Sequence, residues 1–386
     1  MDISHADITE QHATVTKNKT TSAKVLQQDT ATEVSNRFCE ESLSLNRVQE
    51  VVQDSYQYIK SLQLDSGAIP WFHQGKLDPW DHVEAAMGMC IAGDITSSQN
   101  AYRWLIENQN EDGSWFASYF DHTSEHNVEH DPTKIETNFV AYFATGLWHY
   151  YQITQDQAFI QHCYPALKSA IDFVVRLQRS EGDIQWASSS KENLPEDALI
   201  TACASILRSL ECAVRIASLL GESTNCWLNA YLKLADALKN KPWRFDRTWE
   251  SKARYSMDWF YPVLSGIYTR EEINIRLNSR WNEFVEPAYG CRCVSDEPWM
   301  TVAESCELTL ALIASGRAEQ AKSFYHRLLQ WQDADGGFWT GYSFRDHAIW
   351  PKEKTTWTAA AIILAADALF DLTPASTLFT EKSILL

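Results

Sequence analysis

The chain has 386 residues, of which 45% are hydrophobic, and its formal net charge at pH 7 is −18. This composition provides a large core, as one big domain or two ordinary ones. The negative charge argues against nucleic acid or an anionic membrane surface as a partner, because either would repel the chain. The sequence contains no run of eighteen apolar residues, so no segment is predicted to span a membrane.

The two ends of the chain differ from its middle. Residues 1–41 are polar and lack the order of a secretory signal, so we expect a disordered or loosely attached tail. No Pro/Ser-rich linker divides residues 42–374, which predicts a single domain there and a C-terminal tail at 375–386. Nine cysteines, mostly in apolar stretches, indicate free thiols in a reducing compartment and hence a cytoplasmic protein.

Helix-like patterns follow one another through the domain, with almost no strand-like alternation. They predict twelve helices in six pairs, at 44–63, 81–94, 97–109, 136–152, 156–178, 196–220, 224–240, 258–268, 271–284, 300–315, 317–332 and 355–372. Links within a pair are short, which makes the two helices antiparallel neighbours. Links between pairs are long and rich in aromatic and charged residues. The fold class is therefore predicted to be all-α, an (α/α)6 toroid with the long links gathered on one functional rim.

A Gln-x-x-x-Gly motif followed by an aromatic residue ends four of these helices. The copies are Gln63–Gly67, Gln109–Gly113, Gln178–Gly182 and Gln332–Gly336. We interpret the motif as a helix ending, in which Gln bonds carbonyls of the last turn and Gly takes up a left-handed backbone. A unit that recurs in this way predicts an array of helical hairpins.

The repeated motif resembles the signature repeat of squalene cyclases and their toroidal relatives, the terpenoid cyclases and protein prenyltransferase β-subunits. The nearest likeness is to bacterial single-domain proteins labelled prenyltransferase. The stretch from Glu136 to Gln178 also resembles the six-hairpin glycosidases. Both resemblances imply the same helical barrel, whereas they imply different reactions.

The segment DPWDHVE contains the acids that are most typical of a site. Asp81 is predicted to cap the next helix, and Glu84 lies at the capping-box spacing from it. Asp78 or Asp81 could be a plain cap. Beside Trp71 and Trp80, however, either could have its pKa raised by loss of water and serve as a general acid.

Similar acids occur near the starts of other inner helices, namely Glu136, Asp258 and Glu304. Asp258 lies within an aromatic run, so it is either used, paired with Arg254 or a helix cap. Two carboxylates across one cavity could divide the acid and base roles. The residues predicted to bind substrate are Trp71, Trp80, Tyr255, Trp259, Arg292, Trp299 and Trp357.

His122, His126 and His130 recur at intervals of four, which would place metal ligands on one side of a helix. A solvated rim loop explains the same residues, and it is the interpretation we prefer. We therefore predict no metal ligands and no cofactor, and leave the requirement for a metal and the oligomeric state open. The expected partner is a small-molecule substrate.

Three functions remain open from the sequence. The leading hypothesis is an enzyme resembling terpenoid cyclases or prenyltransferases, in which an acid starts the reaction and aromatic rings steady a cation. The second is a carbohydrate-active enzyme, a glycoside hydrolase or sugar isomerase, that uses a pair of carboxylates. The third is a non-catalytic toroid, which predicts that the rim acids have ordinary pKa values and that side chains fill the cavity.

Overall fold

A computed structural model describes residues 43–122, 127–189 and 196–386, so the predicted tail at 1–41 lies outside the described residues. Twelve α-helices occur in this part of the chain, as predicted. They are α1 Leu45–Leu62, α2 Pro79–Ile91, α3 Ile95–Glu107, α4 Thr137–Thr154, α5 Gln157–Arg176, α6 Ile200–Leu220, α7 Asn225–Asn240, α8 Ser256–Phe260, α9 Arg270–Phe284, α10 Val302–Ala314, α11 Ala318–Leu328 and α12 Thr356–Phe370. Across the described helices, none is both long and apolar enough to cross a membrane.

The even-numbered helices form a closed inner ring. Each packs against the next in the order α2, α4, α6, α8 with the 3₁₀ turn that follows it, α10 and α12, and α12 packs back on α2. The odd-numbered helices lie outside this ring, each beside its hairpin partner. This arrangement is an (α/α)6 toroid, which confirms the predicted fold class.

The composition of the helices explains which ones lie inside. In α2, every residue from Pro79 to Cys90 is buried, and α12 is buried over most of its length. A helix whose apolar residues lie on all sides must be enclosed by other elements, and the few polar residues of α2 near its start are buried with them. The outer helix α1, in contrast, buries only one side, which includes Val48, Val51 and Ile59.

The Gln-x-x-x-Gly motif joins neighbouring hairpins and does not simply end its own helix. The side-chain amide of Gln178 donates to the carbonyls of Gly182, at 3.0 Å, and of Ala230 in α7, at 2.8 Å. Gly182 has φ +104, as predicted, and a Cβ there would lie 2.2 Å from the carbonyl oxygen of Lys233. Equivalent amide bonds to the next outer helix join Gln63 with Ser97 and Gln109 with Ala166. Our interpretation that Gln bonds its own last turn was therefore wrong.

The helix predicted at 258–268 is shorter than expected. The α-helix α8 ends at Phe260, and a 3₁₀ turn continues from Tyr261 to Ser265. Pro262 explains the change, because its ring nitrogen cannot donate to the preceding turn.

Short strands occur in the long links, where the sequence indicated only loops. Two pairs are antiparallel, β1 Tyr119–His122 with β2 Asn127–His130, and β3 Ile135–Glu136 with β4 Ala187–Ser188. An antiparallel sheet has the order β5 Val285–Glu286, β6 Gly290–Arg292, β7 Trp299–Thr301, β8 Gly341–Ser343 and β9 Ala348–Ile349. Strand β7 runs directly into α10, so the sheet fixes the start of that inner helix.

The segment predicted as a C-terminal tail, 375–386, is packed against the ring. Its Leu378 and Phe379 are buried. Tyr231 of α7 donates a hydrogen bond of 2.6 Å to the Ser383 hydroxyl, and Arg208 of α6 donates to the carbonyl of Glu381 at 2.9 Å. These contacts attach the segment to the same compact unit as the helices.

Candidate active site

The start of helix α2 holds the first two candidate acids. The Asp78 carboxylate accepts a hydrogen bond of 2.9 Å from the backbone N–H of Asp81, and Pro79 occupies the first helical position. Asp78 is therefore the cap, and our assignment of the cap to Asp81 was wrong by one turn. Proline at this position pre-sets the backbone of a helix start, so the cap is expected one residue before it.

Asp78 is fully engaged by its neighbours. Its second carboxylate oxygen accepts a hydrogen bond of 2.8 Å from the indole N–H of Trp71. Burial raises the pKa of Asp78, whereas the N–H of Asp81, the ammonium of Lys76 and the Trp71 indole oppose that rise. These bonds hold the Asp78 carboxylate in one orientation at the start of α2.

The carboxyl group of Asp81 is in a different state. It is 4% exposed, and no hydrogen-bond donor among the described residues contacts it. Burial raises its pKa well above the ordinary value, and the charges of Asp78 and Glu84 raise it further. A carboxyl group in this environment holds its proton to a higher pH than an exposed one, which is what a general acid requires.

Glu304 occupies the corresponding place on α10. It lies three residues beyond Thr301, whose hydroxyl donates to its carboxylate. Burial raises the pKa of Glu304 to about 7, against the lowering effect of a hydrogen bond from the Cys293 thiol. Glu304 therefore changes its charge near neutral pH, as a catalytic acid or base must.

Two further glutamates lie one helical turn deeper. Glu84 and Glu307 line a small cavity of about 10 Å³ inside the ring, together with Tyr142 and Tyr261. The charges of Glu84, Glu304 and Asp81 all raise the pKa of Glu307, so the acids of α2 and α10 face one interior space.

The other two predicted acids are placed less favourably. Glu136 is paired with the ammonium of Lys134 at 2.9 Å and accepts a hydrogen bond of 3.2 Å from the Trp186 indole, although its charge reaches Asp78. Burial raises the pKa of Asp258 to about 6. The charged groups that act on it, however, are Asp246 and the outer-helix residues Arg276 and Arg280. We therefore remove Asp258 from the site.

The aromatic residues predicted to bind substrate are divided between the site and the core. Trp71 is half-buried beside Asp78, and Trp357 is half-buried at the start of α12. Trp80 is buried flat against Tyr142, 4.3 Å between ring centroids, and so supports the site from behind. Trp259 is buried in a stack with Phe284 of α9, on the outer side of the ring, and we withdraw it as a substrate contact.

The remaining residues predicted to contact substrate lie in or beside the five-stranded sheet β5–β9. Trp299 is buried with Val294, and the half-buried Tyr255 packs on them. Arg292 forms an ion pair with Glu286. Its guanidinium is thus engaged by a neighbouring strand.

Sequence reasoning missed Glu307, Tyr142 and Lys76. Glu307 follows Glu304 by three residues, which repeats the spacing of Asp81 and Glu84, and this repetition was a usable signal. Lys76 lies in a long link, and its proximity to the acids becomes visible only in the folded ring.

A metal centre is not formed by the described residues, among which no group of three or more His, Cys, Asp and Glu side chains could hold an ion. His126 of the predicted histidine set lies outside these residues. His122 and His130 belong to the paired strands β1 and β2, and not to a helix.

Comparison with known proteins relates the chain to sugar-cleaving enzymes. It is 42% identical over 330 residues to an MMP endo-(1,4)-3-O-methyl-alpha-D-mannosidase from Mycolicibacterium hassiacum, which covers 86% of this chain and 89% of the relative. Similar solved structures include a wild-type glycosidase, with a TM-score of 0.66, 13% identity and coverage of 86% of this chain and 100% of that one. A GH63 mannosylglycerate hydrolase from Thermus thermophilus in complex with glucose has a TM-score of 0.61, 13% identity and coverage of 81% and 99%. No family model matches the sequence.

The chain thus belongs to the glycoside hydrolase class. The chain is a member of the family of the Mycolicibacterium hassiacum endo-mannosidase. The resemblance to six-hairpin glycosidases is confirmed, whereas our leading hypothesis, a terpenoid cyclase or prenyltransferase, was wrong. The error has a physical cause: the Gln-x-x-x-Gly motif serves the packing of outer helices, which carries no information about the reaction.

Proposed function

We propose that the protein is an endo-acting glycoside hydrolase that cleaves α-(1,4) linkages between 3-O-methyl-D-mannose units. The substrate is inferred from the activity named for the Mycolicibacterium hassiacum relative, which this chain matches over nearly its full length. The observation that carries the reaction is the Asp81 carboxyl group, buried and without a hydrogen-bond donor among the described residues.

In the proposed reaction, Asp81 gives its proton to the glycosidic oxygen as the bond from that oxygen to the anomeric carbon breaks. Glu304 is the second carboxyl group. It takes a proton from the water that attacks the anomeric carbon in an inverting reaction, or bonds to that carbon itself in a retaining one. Asp78, held by Trp71, orients the start of α2. The anomer formed first, observed by proton NMR, distinguishes the two reactions.

The non-catalytic alternative is not favoured by the electrostatics of the rim. It requires ordinary pKa values for the acids and a cavity filled by side chains. The cavity is small, about 10 Å³, as that alternative requires, but burial raises the pKa values of Asp81 and Glu304. A single raised pKa can have a structural origin, but two such acids at the starts of α2 and α10, which face one interior space, favour catalysis.

The test uses the full chain and an α-(1,4)-linked oligosaccharide of 3-O-methyl-D-mannose, with products identified by mass spectrometry. We expect internal cleavage, and a loss of at least about a hundredfold in kcat for Asp81→Asn and for Glu304→Gln. Asp367→Asn is the matched control. Burial also raises the pKa of Asp367 to about 6, but Asp367 lies in the last turn of α12, far from the helix starts that carry Asp81 and Glu304. Full activity of Asp81→Asn, or cleavage of no such substrate by the wild type, would refute the proposal.

A further inference from the structure

Two inner helices carry the same pair of acids. On α2, Asp81 is followed three residues later by Glu84, and on α10 Glu304 is followed three residues later by Glu307. Residues three apart on a helix share a face, so the second acid of each pair lies one turn deeper in the ring. The deeper acids, Glu84 and Glu307, both line the interior cavity.

The two deeper carboxyl groups are bonded differently. One oxygen of Glu84 accepts hydrogen bonds from the Trp80 indole at 2.9 Å and from the Tyr142 hydroxyl at 2.7 Å. One oxygen of Glu307 is buried and has no hydrogen-bond partner. In the part of the chain that the structure describes, no basic side chain pairs with either of them.

Two carboxyl groups that share a buried cavity, with no cation beside them among the described residues, cannot both ionise at low cost. The charge belongs on the group that receives hydrogen bonds, because such bonds stabilise the ionised form. That group is Glu84, with two donors. The proton belongs on Glu307, whose free oxygen lies in a cavity with room for about one water molecule.

The charged and titratable surroundings fit this division. Asp81 faces Asp78 and Glu84 from its own helix and Lys76 from the preceding link. Burial raises the pKa of Glu84 to about 7, the hydrogen bonds from Tyr142 and Trp80 oppose that rise, and the facing acid is Asp78. Burial and the charges of Glu84, Glu304 and Asp81 raise the pKa of Glu307. The charge of Glu307 in turn raises the pKa values of Tyr261, in the turn after α8, and of Cys306 on α10.

We propose that Glu84 is a positioning residue that takes the negative charge of the glutamate pair while Glu307 stays protonated beside it, and that this charge helps Asp81, one turn above, to keep its proton. This inference rests on the proposed hydrolase function, in which Asp81 is the general acid. It adds a division of labour between the two deeper glutamates. Neither needs to touch the substrate.

The test compares the pH dependence of kcat/KM for Glu84→Gln and Glu307→Gln. Loss of the Glu84 charge lets Asp81 ionise more easily, so the alkaline limb moves to lower pH by about one unit or more, with KM little changed. Glu307→Gln leaves that limb in place, because an amide resembles a protonated carboxyl group in shape and charge. Glu84→Asp, which keeps the charge, restores the limb towards its wild-type position.

Two further measurements keep the inference testable. If Glu84→Gln does not fold, Tyr142→Phe removes one donor from Glu84 and shifts the limb in the same direction by less. If the wild type cleaves nothing, the proposed function fails, and infrared difference spectra still report the protonation state. Glu307→Gln then loses one protonated-carboxyl band at neutral pH. An unshifted limb in active Glu84→Gln, a shift in Glu307→Gln, or an unchanged infrared spectrum would each overturn the inference.

Discussion

Gly336 lies directly against the backbone carbonyl of Asp54, and a Cβ at position 336 would be 2.4 Å from that oxygen. Gly336 follows α11 and Asp54 belongs to α1, so this contact joins these two outer helices. We expect Gly336→Ala to lower the free energy of unfolding by at least about 2 kcal/mol, through backbone strain and a clash with a carbonyl that cannot move away.

The matched control is Gly93→Ala. Gly93 has φ +91, close to the +87 of Gly336, but a Cβ there meets nothing within 4 Å. Chemical denaturation of both variants therefore separates the cost of backbone strain from the cost of the contact. Equal destabilisation would show that the close approach at Gly336 contributes nothing.

The hydrogen bond from Trp71 to Asp78 predicts that holding the Asp78 carboxylate in place matters for catalysis. Trp71→Phe keeps a ring but loses the 2.8 Å bond, and we expect kcat/KM on the methylmannose oligosaccharide to fall about tenfold, the scale of one bond to a charged group. Trp227→Phe loses an indole bond of the same length to Asp172 between outer helices, and should leave kcat/KM unchanged. Similar losses in both variants would contradict a role for Trp71 at the site.

Asp258 tests whether a buried acid with a raised pKa must belong to the site. Although burial raises its pKa to about 6, it is influenced by α9 and not by the acids of α2 and α10. Asp258→Asn should retain nearly wild-type turnover, whereas Asp81→Asn loses at least about a hundredfold. A large loss of kcat in a folded Asp258→Asn protein would return this residue to the site.

Glu304 should make the stability of the fold depend on pH. Its pKa is about 7 in the folded chain against 4.5 ordinarily, so the folded state binds its proton more tightly. The associated stability is complete below pH 4.5 and is lost as pH rises through 7. Between pH 5 and 8 the wild type should lose about 2 kcal/mol more free energy of unfolding than Glu304→Gln.

Denaturation at both pH values measures this difference. Glu319→Gln is the control, because its side chain is 89% exposed on α11, and it should follow the wild type. Parallel pH dependence of the wild type and Glu304→Gln would contradict the raised pKa.

The sequence allowed the toroid to be predicted because helix periodicity and link length are local signals. The partners of Gln178 could not be predicted, since Ala230 belongs to another hairpin. Asp78 and Asp81 were confused because either could cap a helix, and Pro79 was the local signal that distinguishes them. The neighbours of Asp258 depend on which face of a short helix turns inward, and sequence spacing does not fix that.

The interior of the ring is closed at its far end. Leu264, Leu310 and Leu364 line the bottom of the cavity, and Phe379 of the C-terminal segment completes it. Among the described residues, the ring therefore offers a polysaccharide no tunnel to pass through. It reaches the acids only by lying over the open mouth, and both fragments must depart from the side on which the strand arrived. We thus expect cleavage to be non-processive, so that the enzyme releases the polysaccharide after each cut and binds again before the next.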